Sequence, residues 1–245
     1  MARLRQRIRA LEAQAKVPPS SGEDARKAEE IYRGMSDPKG QEDPKEFLKL
    51  TGMLAELRPS MTATFARIYR EAKPRHDAIA LELALASGGA EAAALLKEIF
   101  GSPLTQKAER VLVGISLSGE GTLIKMANGI PADPAFAVLA ATTLGLTDPR
   151  ERIAGVGLLG LQSIDQSRST LLSLVAQDTD ENVRMAALRV LGRNGDRSTL
   201  DFLMSYAASS FPELSLDTTD EDKLPPLAAT LLRTISSLDR RFGEK

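Results

Sequence analysis

The chain has 245 residues, 42% hydrophobic and 27% charged, with 32 Lys and Arg against 33 Asp and Glu, a formal net charge of −1, one His and no Cys. So balanced a charge excludes a global field that would steer the chain to nucleic acid or to an anionic membrane, and the absent cysteines exclude disulfides and thiolate metal sites. No apolar run approaches the length of a membrane span and the start lacks the apolar core of a signal peptide, so the expectation is a cytoplasmic protein, or else a soluble domain released from a membrane anchor preceding residue 1.

The chain opens on a basic helix. Leu4, Ile8, Leu11 and Ala15 recur as a short heptad seam, with Arg3, Arg5, Arg7 and Arg9 around it. A tail of two heptads is marginal alone, which leaves a solvated or partner-dependent helix, a coiled-coil stub for self-association, or a membrane-surface or targeting segment as its readings. Val17-Pro-Pro-Ser-Ser-Gly22 then breaks the helix, residues 24–35 suit a short one, and Asp37–Pro44 is a second linker rich in turn residues. Phe47, Leu50, Leu54 and Leu57 mark a helix ending before Pro59, and Met61, Phe65, Ile68 and Tyr69 another ending before Pro74. Helices are expected at 75–87, 90–100, 105–117, 120–129 and 134–146, divided by Gly88-Gly89, Gly101-Ser-Pro103, Gly119 and Pro131-Ala-Asp-Pro134. Loops this short make the helices antiparallel neighbours.

From residue 148 the chain copies itself. Asp148, Arg152, Ala154, Leu159 and Gly160 return as Asp180, Arg184, Ala186, Leu191 and Gly192, a shift of 32. Arg168-Ser-Thr-Leu171 returns as Arg197-Ser-Thr-Leu200, each time ahead of an apolar run. A period in the low thirties that holds two helix-sized segments is the signature of an α-solenoid. In such a unit Asp148 and Asp180 are N-caps, the first with Pro149 behind it, while Arg152 and Arg184 lie one turn inside. After a helix at 197–208, Ser209–Lys223 reads as an acidic surface loop, and Pro225-Pro226 opens a capping helix faced by Leu227, Leu231, Leu232, Ile235 and Leu238.

The Asp-x-x-Val-Arg-x-x-Ala-x-x-x-Leu-Gly pattern at 180–192 resembles the HEAT-like repeats of phycobilisome lyases and many bacterial scaffold proteins; the earlier copy departs from it where Glu151 replaces the usual apolar residue. The resemblance implies a right-handed stack of helical hairpins with a concave face that mostly holds other proteins. It also implies that Asp148, Arg152, Asp180 and Arg184 form a structural ladder between repeats.

Searches for chemistry return little. Gly155-x-Gly157-x-x-Gly160 spells the dinucleotide fingerprint, but it falls inside a helix, where close helix packing is the simpler reason for glycine. His76 is the only histidine, and no Gly-x-Ser-x-Gly elbow accompanies it. The acidic cluster at 217–222 lacks the spacing of a calcium loop. Nucleic-acid binding on such a fold calls for a basic stripe and aromatics, and the chain has no Trp and no lysine-arginine stripe through the repeats.

The reading is therefore all-α: a right-handed α-solenoid of HEAT-like hairpins over 44–245 behind a helical tail and linkers at 1–43. Its expected role is a non-catalytic protein-interaction scaffold that needs no cofactor or metal. Its expected partner is another protein, with self-association through the tail as an addition. The favoured contacts are the polar positions Lys97, Lys125, Asn128, Arg168, Arg197 and Asp201. The alternative is a lyase-like enzyme or small-molecule binder whose groove would be lined by the few aromatics.

Overall fold

Proline and aspartate set where helices begin. The computed structural model describes residues 22–38, 42–72, 77–102, 105–118, 129–212 and 223–242, and every regular element among them is helical. Asp43, Asp133 and Asp148 each accept a hydrogen bond from the first turn of the helix they precede, and a proline fills the first helical position behind each, where no amide donor is needed. The expected N-terminal helix and most of the helix expected at 120–129 lie outside the described residues. The chain divides into two compact units, Met1–Leu104 with Thr122–Pro131, and Thr105–Gly121 with Ala132–Lys245.

The first unit holds α1 (Gly22–Met35), α2 (Pro44–Leu54), α3 (Pro59–Glu71), α4 (Ala78–Ser87) and α5 (Gly89–Gly101). Helix α4, with the sequence AIALELALAS, has no polar face, and it needs none because α1, α3 and α5 all pack on it. It starts at Ala78, later than the expected 75, because Asp77 caps it by accepting from the Ala80 amide and also receives the Tyr32 hydroxyl of α1. Gly88, at φ 71° and ψ −153°, alone connects α4 to α5; only glycine adopts this backbone readily, and a β-carbon on the adjoining Gly89 would stand 2.7 Å from that of Pro59. Helix α1 is fastened to α3: Ala28 and Ile31 are fully buried, and Arg67 pairs with Glu29 at 2.8 Å.

The second unit holds α6 (Lys107–Ser118), α7 (Pro134–Leu144), α8 (Pro149–Leu159), α9 (Ile164–Gln177), α10 (Glu181–Asn194), α11 (Arg197–Ser210) and α12 (Pro226–Phe242). Two rows result. Helices α6, α8, α10 and α12 stack directly on one another, while α7 packs on α8, α9 on α10 and α11 on α12. This settles the parity: α6 belongs to the row of α8 and α10. The 32-residue repeat is real in three dimensions, since Ala154 and Ala186 are both fully buried.

The Arg-Ser-Thr-Leu echo is displaced by about a turn relative to the helices. Helix α9 begins at Ile164, so Arg168 lies one turn inside it, whereas Arg197 is the first residue of α11. Leu171 and Leu200 are both buried nonetheless, because a displacement of about four residues returns to the same helix face.

The three glycines of the rejected fingerprint each face a different neighbour. A β-carbon on Gly155 would meet the Ala140 carbonyl of α7 at 3.1 Å, one on Gly157 the Leu117 β-carbon of α6 at 2.6 Å, and one on Gly160 the Val190 side chain of α10 at 3.2 Å. The contact between α6 and α8 is glycine on both sides, since a β-carbon on Gly114 would stand 2.8 Å from the Ala154 backbone nitrogen.

Two outcomes follow from this packing. Gly114→Ala should lower stability in urea by about 1–3 kcal/mol through overpacking against backbone that cannot yield, less the ~1 kcal/mol that alanine regains in helix propensity; an unchanged midpoint would mean that α6 and α8 can separate without cost. Glu82, the one charge on α4, is half-buried without an ion pair among the described residues, and desolvation holds its carboxyl above its ordinary 4.5. The folded state therefore keeps the proton that the unfolded state releases, and stability falls as pH climbs from 4.5 through the raised value. Glu82→Gln should raise the thermal midpoint at pH 7 and flatten that dependence, and a lowered midpoint would show the carboxylate to be stabilising.

Candidate functional site

The fourth residue of α6, α8 and α10 is an arginine in each case: Arg110, Arg152 and Arg184. Each is only partly exposed, so its guanidinium needs acceptors from the protein. Arg110 reaches forward to Glu151 on α8 at 2.7 Å and donates to the Thr105 carbonyl at 3.0 Å. Arg152 forks onto Asp178 at the end of α9, at 2.8 and 3.2 Å, while donating to the Thr147 carbonyl. Arg184 donates to the Val175 carbonyl of α9 and to the Tyr206 hydroxyl of α11.

Asp148 and Asp180 act as caps instead. Asp148 accepts from the Arg150 amide and pairs with Lys107, and Asp180 accepts from the amides of Asn182 and Val183. Arg152 thus meets Asp178 and not the cap of either repeat. Glu151, the departure from the family pattern, is buried because Arg110 faces it. A second tie runs between connectors: Gln162 donates to the Asp133 carbonyl at 3.0 Å, and Asn194, 32 residues on, to that of Gly160 at 2.7 Å.

The charges respond to these neighbours. Burial opposes ionisation of Asp178, but hydrogen bonds from Arg152 and from the Asp180 amide, together with the Arg152 and Arg184 charges, outweigh it and hold the carboxyl below its ordinary range. Its hydrogen bond to Lys107, then the one from the Arg150 amide, lowers Asp148 likewise.

With the fourth residues turned inward, the fifth residues Val111, Ile153 and Met185 come to the surface as a half-exposed apolar strip, continued by Ile115, which is 41% exposed. Val111, Ile115 and Ile153 floor a groove of about 890 Å³ whose rim carries Lys107, Asp148, Arg150, Asp180 and Asn182. Its lining holds no aromatic ring. A smaller cleft of about 360 Å³ lies in the first unit between α1 and α2, over Leu50 and Met53.

None of the described residues favoured from sequence lines this groove. Lys97 is exposed on α5, and Lys125 and Asn128 fall outside the described residues, as does His76. Arg168 pairs with Asp165 at 3.2 Å and with Asp196, the cap of α11, while Arg197 pairs with Asp201 at 3.5 Å and donates to the Phe242 carbonyl. Arg168 and Arg197 therefore gather near the start of α11, on the row opposite the groove. The groove itself is missed because its floor looks like core in sequence; the signal that could have found it is the apolar residue following the arginine in α6, α8 and α10. Among the described residues no group of three acidic, His or Cys side chains is placed to hold a metal, and no helix is long and apolar enough to cross a membrane.

Residues 132–215 match the family model of HEAT repeats, which agrees with the paired all-helical architecture. No curated protein and no solved structure matches the chain.

The Arg152–Asp178 pair is buried on both sides, at 13% and 8% side-chain exposure. Arg152→Ala strands the carboxylate and should cost about 3 kcal/mol in urea unfolding. Because Asp178 titrates below its ordinary 3.8, the pair contributes fully above about pH 4 and its contribution is lost as pH falls below that value; the variant should lose that acid sensitivity. Equal acid sensitivity in both proteins would place it in other carboxylates.

Proposed function

We propose that this HEAT-repeat protein is a non-catalytic interaction scaffold that holds another protein in the groove across α6, α8 and α10. HEAT repeats are commonly protein-interaction surfaces, and residues 132–215 carry them. The observation that supports this site is the strip Val111, Ile115 and Ile153: aliphatic side chains on the stacked helices α6 and α8 that stay at least partly exposed along one groove. An apolar strip rimmed by charge is how a protein-contact face is built, with a few buried anchors supplying most of the affinity. Within the second unit the favoured polar positions Arg168, Arg197 and Asp201 serve as a second candidate surface.

The two surfaces separate in one experiment. Proteins recovered on the full chain from source lysate are quantified against the Ile115→Asp/Ile153→Asp variant and against the Arg168→Glu/Arg197→Glu variant, with circular dichroism checking that each stays helical. The first variant should lose at least about tenfold of its specific partner, consistent with loss of interface anchors, and the second should retain it. Loss confined to the second moves the contact to the α9 and α11 row, and loss in neither removes the scaffold reading from this unit.

A further inference from the structure

We infer that the groove across α6, α8 and α10 takes an acidic peptide segment anchored by aliphatic side chains, an inference that rests on the groove being a protein-contact face. The argument is one of charge. The chain has a net charge of only −1, but its charge is sorted by row. Helices α6, α8, α10 and α12 carry Lys107 and nine arginines against only Glu109, Glu151, Glu181 and Asp239. Helix α7 carries no charge, and α9 and α11 balance Arg168 and Arg197 with Asp165 and Asp201.

Three of the arginines are turned inward by the ladder described above. Lys107 and Arg150 rim the groove, and Arg233 and Arg240 are exposed elsewhere along the same row, while the Arg193 guanidinium donates to the Leu117 carbonyl and that of Arg241 to the carbonyls of Gly192 and Arg193. The Arg150 guanidinium makes no hydrogen bond or ion pair among the described residues, so a carboxylate brought to it displaces no existing partner.

The two carboxylates in the groove are already committed. Asp148 and Asp180 each cap the helix behind them, and Asp148 also holds Lys107. Their charge is met by the helix N-termini they cap and, for Asp148, by Lys107, which leaves Arg150 as the rim charge open to a partner. The aliphatic floor has no ring on which a base could stack. A peptide that combines acidic residues with leucine-like anchors satisfies both the rim and the floor, whereas a nucleic acid satisfies only the rim. A small anion would leave most of the 890 Å³ groove and its apolar floor unused.

The test uses the full chain and defined probes. A library of random 12-residue peptides displayed on phage is panned on the protein, and enriched peptides are synthesised with a fluorophore and titrated by anisotropy. The proteins compared are the wild type, Ile153→Asp and Arg150→Glu, each checked for helicity. The expected result is enrichment of net-acidic peptides with aliphatic residues, about tenfold weaker binding to Arg150→Glu, and weakening with salt between 50 and 300 mM as an exposed charge pairing requires. A 20-nucleotide single strand should not displace them. If peptides lost by Ile153→Asp are neutral or basic and indifferent to Arg150→Glu, the acidic partner is wrong while the groove stands as a protein site. If no enriched peptide is sensitive to Ile153→Asp, the site falls with the inference. If the DNA strand displaces the peptides at comparable concentration, the row binds phosphates instead.

Discussion

Backbone comes within van der Waals contact of backbone where α6 crosses α8, and the organisation of the second unit depends on that approach. Gly114 lies against the Ala154 nitrogen and Gly157 against Leu117, so nothing larger than hydrogen fits between them. With the crossing this tight, long side chains on the row helices can point only to the edges of the layer. In α6, α8 and α10 the fourth residue turns to partners within the stack and the fifth stays at the surface. An arginine at the fourth position must find acceptors on the next layer, and an aliphatic residue at the fifth must stay half-exposed.

Ladder and groove are thus two consequences of one spacing. Arg110, Arg152 and Arg184 spend their charge internally, on Glu151, on Asp178, and on Tyr206 with the Val175 carbonyl. These contacts fix one layer on the next with directional bonds where alanine and glycine supply little side-chain surface. The ladder ends at α12, whose fourth residue is Ala229. Glu181 closes that end by accepting the Leu227 amide, and Arg241 donates to the Gly192 and Arg193 carbonyls at the end of α10.

What could be read from the sequence was what acts locally. The caps Asp148 and Asp180 and the starts at Asp133-Pro134 and Asp148-Pro149 rest on neighbours a few positions apart, and with the 32-residue stride they placed the repeat helices and the packing role of Gly155, Gly157 and Gly160. The Arg-Ser-Thr-Leu echo misled by a turn because a helix face repeats every three to four residues, and a four-letter match cannot tell one turn from the next. Arg110 stayed hidden because it precedes its counterpart Arg152 by 42 residues and not 32, an undescribed connector separating α6 from the regular repeats.

By itself the sequence determined an all-helical repeat, its stride and its helix starts, since backbone propensity and capping are decided within a turn or two. Only the tertiary structure decided which helices share a row, that Arg152 meets Asp178 and not Asp180, and that Val111, Ile115 and Ile153 form the floor of one groove. Those outcomes turn on which residue of one layer faces which residue of the next. That is set by the distance at which glycine lets two helices cross, a quantity that no single segment contains.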